Sequence, residues 1–120
     1  MPSLDLTTNV AIPNEREFVL EFSKFAADTL SKPETYISIN VKHNPNLTFG
    51  GTFDPAFLLT IVSLGNINPE KNEKYSKQLF EFFKEKLGIS GDRGYILFND
   101  PGNSYLGYQG TTFATIFGKP

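Results

Sequence analysis

The chain has 120 residues and a formal net charge of -2, with no cysteine, no tryptophan and a single histidine. That length suits one compact domain with one core, and the mixed charge leaves no basic footprint for nucleic acid or an anionic membrane surface. Without cysteine there is no disulfide framework, thiol catalysis or zinc-thiolate site; one histidine supplies too few ligands for another metal centre, and nothing in the sequence implies a cofactor.

Aromatic residues make up 14% of the chain and 12 of them are phenylalanine, so the core is built largely from rings with no polar atom to satisfy. The first ten residues contain Asp5 and lack a basic region and a long apolar run, which does not fit a signal peptide. No stretch is long enough to span a bilayer. On these grounds the chain reads as a soluble, cytoplasmic protein.

Met1-Pro2 opens the chain and has two readings: an ordinary start, or, once Met1 is removed, a free secondary amine able to take and give a proton. Ser3 to Thr8 alternates Leu4 and Leu6 with polar neighbours, the period of a half-buried strand. From Asn14 to Leu30, residues Phe18, Phe22, Phe25, Ala26, Thr29 and Leu30 recur at spacings of three and four, which predicts an amphipathic helix. Ser31-Lys32-Pro33 ends it, because the residue before a proline is pushed out of the helical region. Lys32 reads either as a cation favouring the helix C-terminus or as a site residue. Alternation resumes from Tyr36 to Val41, with Ile37, Ile39 and Val41 facing inward.

Phe49-Gly50-Gly51 signals a turn, and Ala56 to Leu64 is an apolar run expected of a central strand covered on both faces. Asn68-Pro69 reads as an N-cap and first helical residue. The following helix, Pro69 to Leu87, places Tyr75, Leu79, Phe82, Phe83 and Leu87 on one stripe, expects Glu70/Lys74 and Glu73/Lys77 as ion pairs on the other, and closes at Gly88. Tyr95 to Asn99 is the last predicted strand. Tyr36-Ile37-Ser38-Ile39-Asn40 parallels Tyr95-Ile96-Leu97-Phe98-Asn99, a weak internal duplication of a β-α-β unit. Two such units predict an α+β domain with a four-stranded sheet and both helices on one face. The bare face then calls for a symmetric oligomer.

Few residues carry chemistry. Ser63 has no adjacent histidine and no nucleophile elbow, so a serine hydrolase is excluded. Neither Phe49-Gly50-Gly51 nor Asp100-Pro101-Gly102-Asn103 fits a phosphate-binding fingerprint. His43 reads as a solvated loop residue, and Tyr95 as either sheet packing or a proton donor.

Taken together and in order, several spaced elements resemble the macrophage migration inhibitory factor family, which includes the D-dopachrome tautomerases. They are Met1-Pro2, Thr8-Asn9-Val10, Ser31-Lys32-Pro33 with Tyr36-Ile37, Phe49-Gly50-Gly51 with Pro55-Ala56, and Ser63-Leu64-Gly65. Beyond these stand Tyr75-Ser76-Lys77, Asp92-Arg93 with Tyr95-Ile96, and Gly107 with Thr112-Phe113-Ala114. The resemblance covers nearly the whole chain and implies a single domain over 1-120, with pseudo-repeats at about 2-50 and 56-114 and a tail at 115-120, assembled as a homotrimer.

For chemistry, the resemblance implies a keto-enol tautomerase acting on a small aromatic α-keto or enol ligand, such as phenylpyruvate or dopachrome. Pro2 matches the catalytic base and Lys32 the cation that binds the substrate's carboxylate or carbonyl oxygen. Ser63 and Leu64 match the substrate-binding stretch, where the Leu64 backbone N-H helps hold the substrate. Tyr95 matches a catalytic residue contributed by the neighbouring subunit, while Tyr36, Leu106, Tyr108 and Phe113 match an apolar, aromatic wall. Leu97 replaces an asparagine often found in animal members, which removes a hydrogen bond to the far end of an aromatic substrate. Ser3 makes the surroundings of Pro2 more polar than in relatives with a hydrophobic residue there. Ala56-Phe57-Leu58-Leu59 stands where animal members carry Cys-x-x-Cys, so thiol oxidoreductase chemistry is excluded. The alternative implied by the same resemblance is a cytokine-like or secreted effector that binds a protein receptor, exported without a leader.

Overall fold

A computed structural model describes residues 1 to 120. Strands β1 (Ser3–Thr8), β2 (Ser38–His43), β3 (Phe57–Val62) and β4 (Gly94–Asn99) form one sheet in the order β2-β1-β3-β4. Each half of the chain contributes a parallel pair, β1 with β2 and β3 with β4, joined at the centre by antiparallel β1 and β3. Helices α1 (Glu15–Leu30) and α2 (Pro69–Leu87) are the two crossovers, and both pack on the same face. The α+β, duplicated β-α-β architecture is therefore the one expected.

The helix-facing side of the sheet holds Leu4, Leu6, Phe57, Leu59 and Ile61, all buried against Phe22, Ala26, Leu30, Leu79 and Phe83. Phenyl rings lock the layers: Phe22 lies 5.4 Å from Phe83, which lies 4.7 Å from Phe57. Each such pair adds about 0.5–1.5 kcal/mol beyond its area. One polar side chain enters this layer. Thr8 is satisfied there by donating its hydroxyl to the Ala56 carbonyl at 2.8 Å.

Helix ends follow local chemistry. Asn68 accepts from the Lys71 N-H at 2.8 Å and Gly88 closes α2 with φ +68. Ser31 closes α1 in the same left-handed region, φ 53, with the Lys32 N-H donating to Ala27. The stop therefore lies in a left-handed serine cap rather than in the residue before Pro33.

Four local expectations are corrected. Tyr36 lies in a 3-10 turn, Glu34–Tyr36, because the Tyr36 and Ile37 N-H groups bond back to Pro33 and Glu34, so β2 begins two residues later at Ser38. Tyr36 and Tyr95 are accordingly not equivalents; Tyr95 is already inside β4. His43 ends β2 instead of standing in a loop, although its ring is exposed beside the Asn9 carbonyl. β3 is covered on one face only, with Leu58 45% exposed, since no layer lies beyond the sheet. The Glu70/Lys74 and Glu73/Lys77 pairs do not close; Lys86 instead bridges α2 to Glu21 of α1 at 3.3 Å.

The bare face is divided. Its β3/β4 half carries Leu58, Tyr95 and Leu97, whereas its β1/β2 half carries Ser3, Asp5, Asn40 and Lys42, with Lys42 paired to Asp5 at 3.6 Å. Past β4 the chain adds a 3-10 turn (Asn103–Tyr105), the hairpin β5 (Gly107–Tyr108) and β6 (Thr111–Thr112), and α3 (Phe113–Phe117), so the segment from 115 begins inside a helix. No helix is long and apolar enough to cross a membrane.

Candidate active site

Pro2 is buried immediately ahead of β1, and its carbonyl accepts the Ser38 N-H at 3.1 Å, which fixes the chain start against β2. Beside it opens a cavity of about 300 Å3. Met1, Pro2 and Ser3 form one side, Tyr36 of the 3-10 turn and the following Ile37 another, and Leu106, Tyr108 and Phe113, in and beside the C-terminal hairpin, the third. The hairpin turns at Gln109-Gly110 with φ 53 and +78, both left-handed, which matches the twist of a two-residue loop. That turn lays Tyr108 flat on Phe113, ring centres 5.5 Å apart and planes within 5°. The wall is thus a pair of stacked rings suited to a flat ligand.

Electrostatics at the chain start favour a neutral amine. Burial lowers the terminal amine below its ordinary value, the positive charge of Lys32 lowers it further, and Asp100 opposes both. The amine affected is that of Met1; while Met1 is attached, the Pro2 nitrogen is an amide. Ser3 has its side chain on the exposed face of β1.

Three turns meet at this end of the sheet. Ser31 to Pro33 carries Lys32; Ser63 to Asn66 follows β3; Asp100 to Gly102 follows β4. Ser3 pairs with Val62, so Ser63 lies across from Pro2, and the Ser63 N-H bonds to Asn99 at 3.1 Å. Ser63 Oγ is wholly buried with no partner, and the Leu64 N-H donates to no acceptor within the chain. Asp100 is held by the N-H groups of Gly65 and Gly102, each at 3.0 Å. Lys32, Ser63 and Leu64 border the chain start but do not line the cavity.

Tyr95 and Leu97 are not brought to Pro2 within one chain. Tyr95 pairs with Leu58, which faces Thr7, so it stands five residues along and two strands across, on the order of 19 Å away at strand spacing. By the same register Leu97 is about 14 Å away. Both point out of the bare face, 69% and 60% exposed.

Sequence reasoning missed Asp100, read only as part of a glycine turn; an aspartate ahead of Pro-Gly is itself an acceptor for turn N-H groups. It also missed Ile37 and Ser38 beside Pro2, whose alternation marks them only as strand. A larger hollow, about 660 Å3, lies between α1 and α2 under Glu21, Asp28, Glu81 and Glu85. It is an open groove between helices and contains none of the predicted residues. The smaller cavity is the one that joins an amine to an aromatic wall. No three His, Cys, Asp or Glu side chains converge as metal ligands.

Comparisons with known proteins agree in extent. The sequence model described as Macrophage migration inhibitory factor (MIF) matches residues 1–114. A macrophage migration inhibitory factor homolog of Trichuris trichiura is 40% identical over 114 residues, 94% of this chain and 100% of the relative. The Rattus norvegicus macrophage migration inhibitory factor is 36% identical over 115 residues, 95% of this chain and 100% of its own. Among solved structures, the factor from Trichinella spiralis superposes with a TM-score of 0.85 at 34% identity, covering 92% of this chain and 99% of that one.

Proposed function

The chain belongs to the macrophage migration inhibitory factor family, and from that premise we propose that it is a keto-enol tautomerase in which Pro2, freed by loss of Met1, shuttles a proton on a small aromatic α-keto acid. The observation that carries this reading is Pro2 buried beside the Tyr108–Phe113 wall, at a chain start where burial and Lys32 lower the Met1 amine that stands next to it. A neutral amine takes the proton from the carbon next to the carbonyl; the electron pair of that C–H bond becomes the new C=C bond while the carbonyl pair moves onto oxygen. Lys32 and the Leu64 N-H hold the acid end of the substrate and stabilise the negative charge that grows on the carbonyl oxygen, and the protonated amine returns its proton to that oxygen. The reverse sequence converts enol to keto.

Tyr95 and Leu97 act in this reading from a neighbouring copy, since neither reaches the Pro2 cavity of its own chain. Assembly as a homotrimer supplies that copy and covers Leu58, Tyr95 and Leu97 on the bare face. Three chains of 13.4 kDa give a native mass of about 40 kDa; a stable monomer overturns the shared site.

The experiment is turnover of phenylpyruvate and of dopachrome methyl ester by protein whose intact mass shows Met1 absent, beside Pro2→Gly. We expect turnover in the first and loss of it in the second. Processed wild-type protein that is inert on every such ligand refutes the reading.

A cytokine-like role is the second reading, favoured by the names of the relatives and by aromatic side chains left in solvent, Phe53 at 64% and Tyr105 at 81% exposed. An effect on macrophage migration that survives Pro2→Gly and is lost in Tyr105→Ser supports it; an effect that follows turnover alone does not.

A further inference from the structure

The turn after β3 is tied to the end of α1 by one buried side chain. Asn66 is 6% exposed and donates from Nδ2 to the Leu30 carbonyl at 3.1 Å. Tyr75 of α2 reaches both Oδ1 and the main-chain oxygen of Asn66, each at 3.2 Å. One hydroxyl proton serves one acceptor at a time, so these two are alternatives of a single donated bond. Burial raises the Tyr75 phenol above its ordinary value, which keeps it a donor.

The Leu30 carbonyl is among the last four of α1, which the helix itself cannot satisfy, and Asn66 is its partner. Leu30 lies two residues before Lys32, and Asn66 two residues after Leu64. A single amide therefore couples the backbone that carries the Lys32 charge to the backbone that carries the free Leu64 N-H. An amide is the group that can do this, because it gives a proton to Leu30 and accepts one from Tyr75 at once. Aspartate in its place lacks the donor, and leucine lacks both functions.

We propose that Asn66, oriented by Tyr75, is a positioning residue that sets the spacing between Lys32 and the Leu64 N-H. The inference rests on the reading above, in which those two groups hold the acid end of the substrate. Asn66 touches no substrate; it acts by keeping two loops in register, and a loss of register appears in substrate binding before it appears in proton transfer.

The test measures kcat and KM for phenylpyruvate in Asn66→Ala, Asn66→Asp and Tyr75→Phe, each with and without Lys32→Met. Asn66→Ala raises KM about 2–12-fold, the worth of one net hydrogen bond. The acid limb of the pH profile moves little, because burial, which does not depend on where Lys32 stands, is the larger cause of the lowered amine at the chain start. The factor shrinks toward one once Lys32 is gone, as expected of groups acting through each other. Tyr75→Phe gives the same pattern with a smaller factor, and it keeps the ring and its volume should the Asn66 variants fail to fold. A lowered melting temperature with KM unchanged, or an equal factor in both Lys32 backgrounds, means a structural role only and overturns the inference. Absence of turnover in processed wild-type protein refutes the tautomerase reading and the inference with it; wild-type turnover with unshifted KM in the variants overturns the inference alone.

Discussion

Gly94 opens β4 opposite Phe57, and the space a side chain would fill is occupied by the Phe57 ring. A Cβ built on Gly94 falls 2.3, 2.5 and 2.6 Å from three ring carbons. Carbon atoms rest at about 3.5–4.0 Å, so the ring must retreat by more than about 1 Å. It has nowhere to go: Phe57 is fully buried, with Phe80 at 5.2 Å and Phe83 at 4.7 Å behind it. Overpacking of this kind costs about 1–3 kcal/mol. With an unfolding entropy of about 2.1 cal/mol/K per residue over this length, Gly94→Ala lowers Tm by about 4–12 °C. The assay is thermal unfolding followed by circular dichroism at one fixed protein concentration, since association shifts Tm by mass action. Gly91→Ala is the control, because nothing lies within 4 Å of its added carbon and its φ is not left-handed. Phe57→Leu combined with Gly94→Ala should cost less than the sum of the two single changes, as the smaller side chain vacates the contested space. An unchanged Tm in Gly94→Ala, or strict additivity in the double variant, refutes the reasoning.

The charge environment predicts two opposite shifts in the pH profile of kcat/KM. Lys32 lowers and Asp100 raises the Met1 amine, and the freed Pro2 amine stands beside the same two charges, so Lys32→Met moves the acid limb to higher pH and Asp100→Asn moves it to lower pH; no shift in either removes both charges from the account. The same depression links to folding: the neutral buried amine contributes stability that is complete above the unfolded-state pKa and is lost as pH falls through the lowered folded value, which denaturant titrations across that range would show. Tyr108 is about half exposed and contributes its ring to the wall, so Tyr108→Ala leaves the fold intact. It should lower kcat/KM for phenylpyruvate about 2–12-fold, the worth of one ring contact, and should spare a small aliphatic keto acid; equal losses on the two substrates contradict a stacking role.

What could be read from the sequence was what repeats with a fixed period or ends in a distinctive residue. The stripe Tyr75, Leu79, Phe82, Phe83 and the brackets Asn68 and Gly88 define α2 almost to the residue. Alternation at Leu4 and Leu6 likewise defines β1. The C-terminal hairpin escaped because strands of two residues have no period, and because Gln109 takes a left-handed conformation that glutamine does not advertise. The loop from 44 to 56 escaped for another reason: it is held from far away. Asn9 donates to the carbonyls of Leu47, Phe53 and Asp54, and Arg93 to those of Phe49, Asp54 and Pro55. Asn9 and Arg93 stand in the sequence only as members of short spaced elements, and nothing local says which carbonyls they satisfy. At the site, Pro2 and Lys32 were visible as residue types in unusual places, whereas Asp100 and the Asn66–Tyr75 tie exist only once three turns converge.

The duplication also explains why one site arises where the fold offers two. Strand limits equate Ser3–Thr8 with Phe57–Val62, and left-handed caps equate Ser31 with Gly88. The residue ahead of the strand is then Pro2 in one half and Ala56 in the other, and the residue after the helix cap is Lys32 in one and Ile89 in the other. Ala56 and Ile89 are core, 0% and 1% exposed, and the Ala56 N-H is spent on Asn9 Oδ1 at 2.8 Å. An interior strand start has only an amide to offer, so packing is the use left to it. The first strand instead follows Met1, whose amine is lowered by burial and further by the neighbouring Lys32. The two halves share a topology, and in the proposed reading only the half that carries Pro2 and Lys32 transfers a proton.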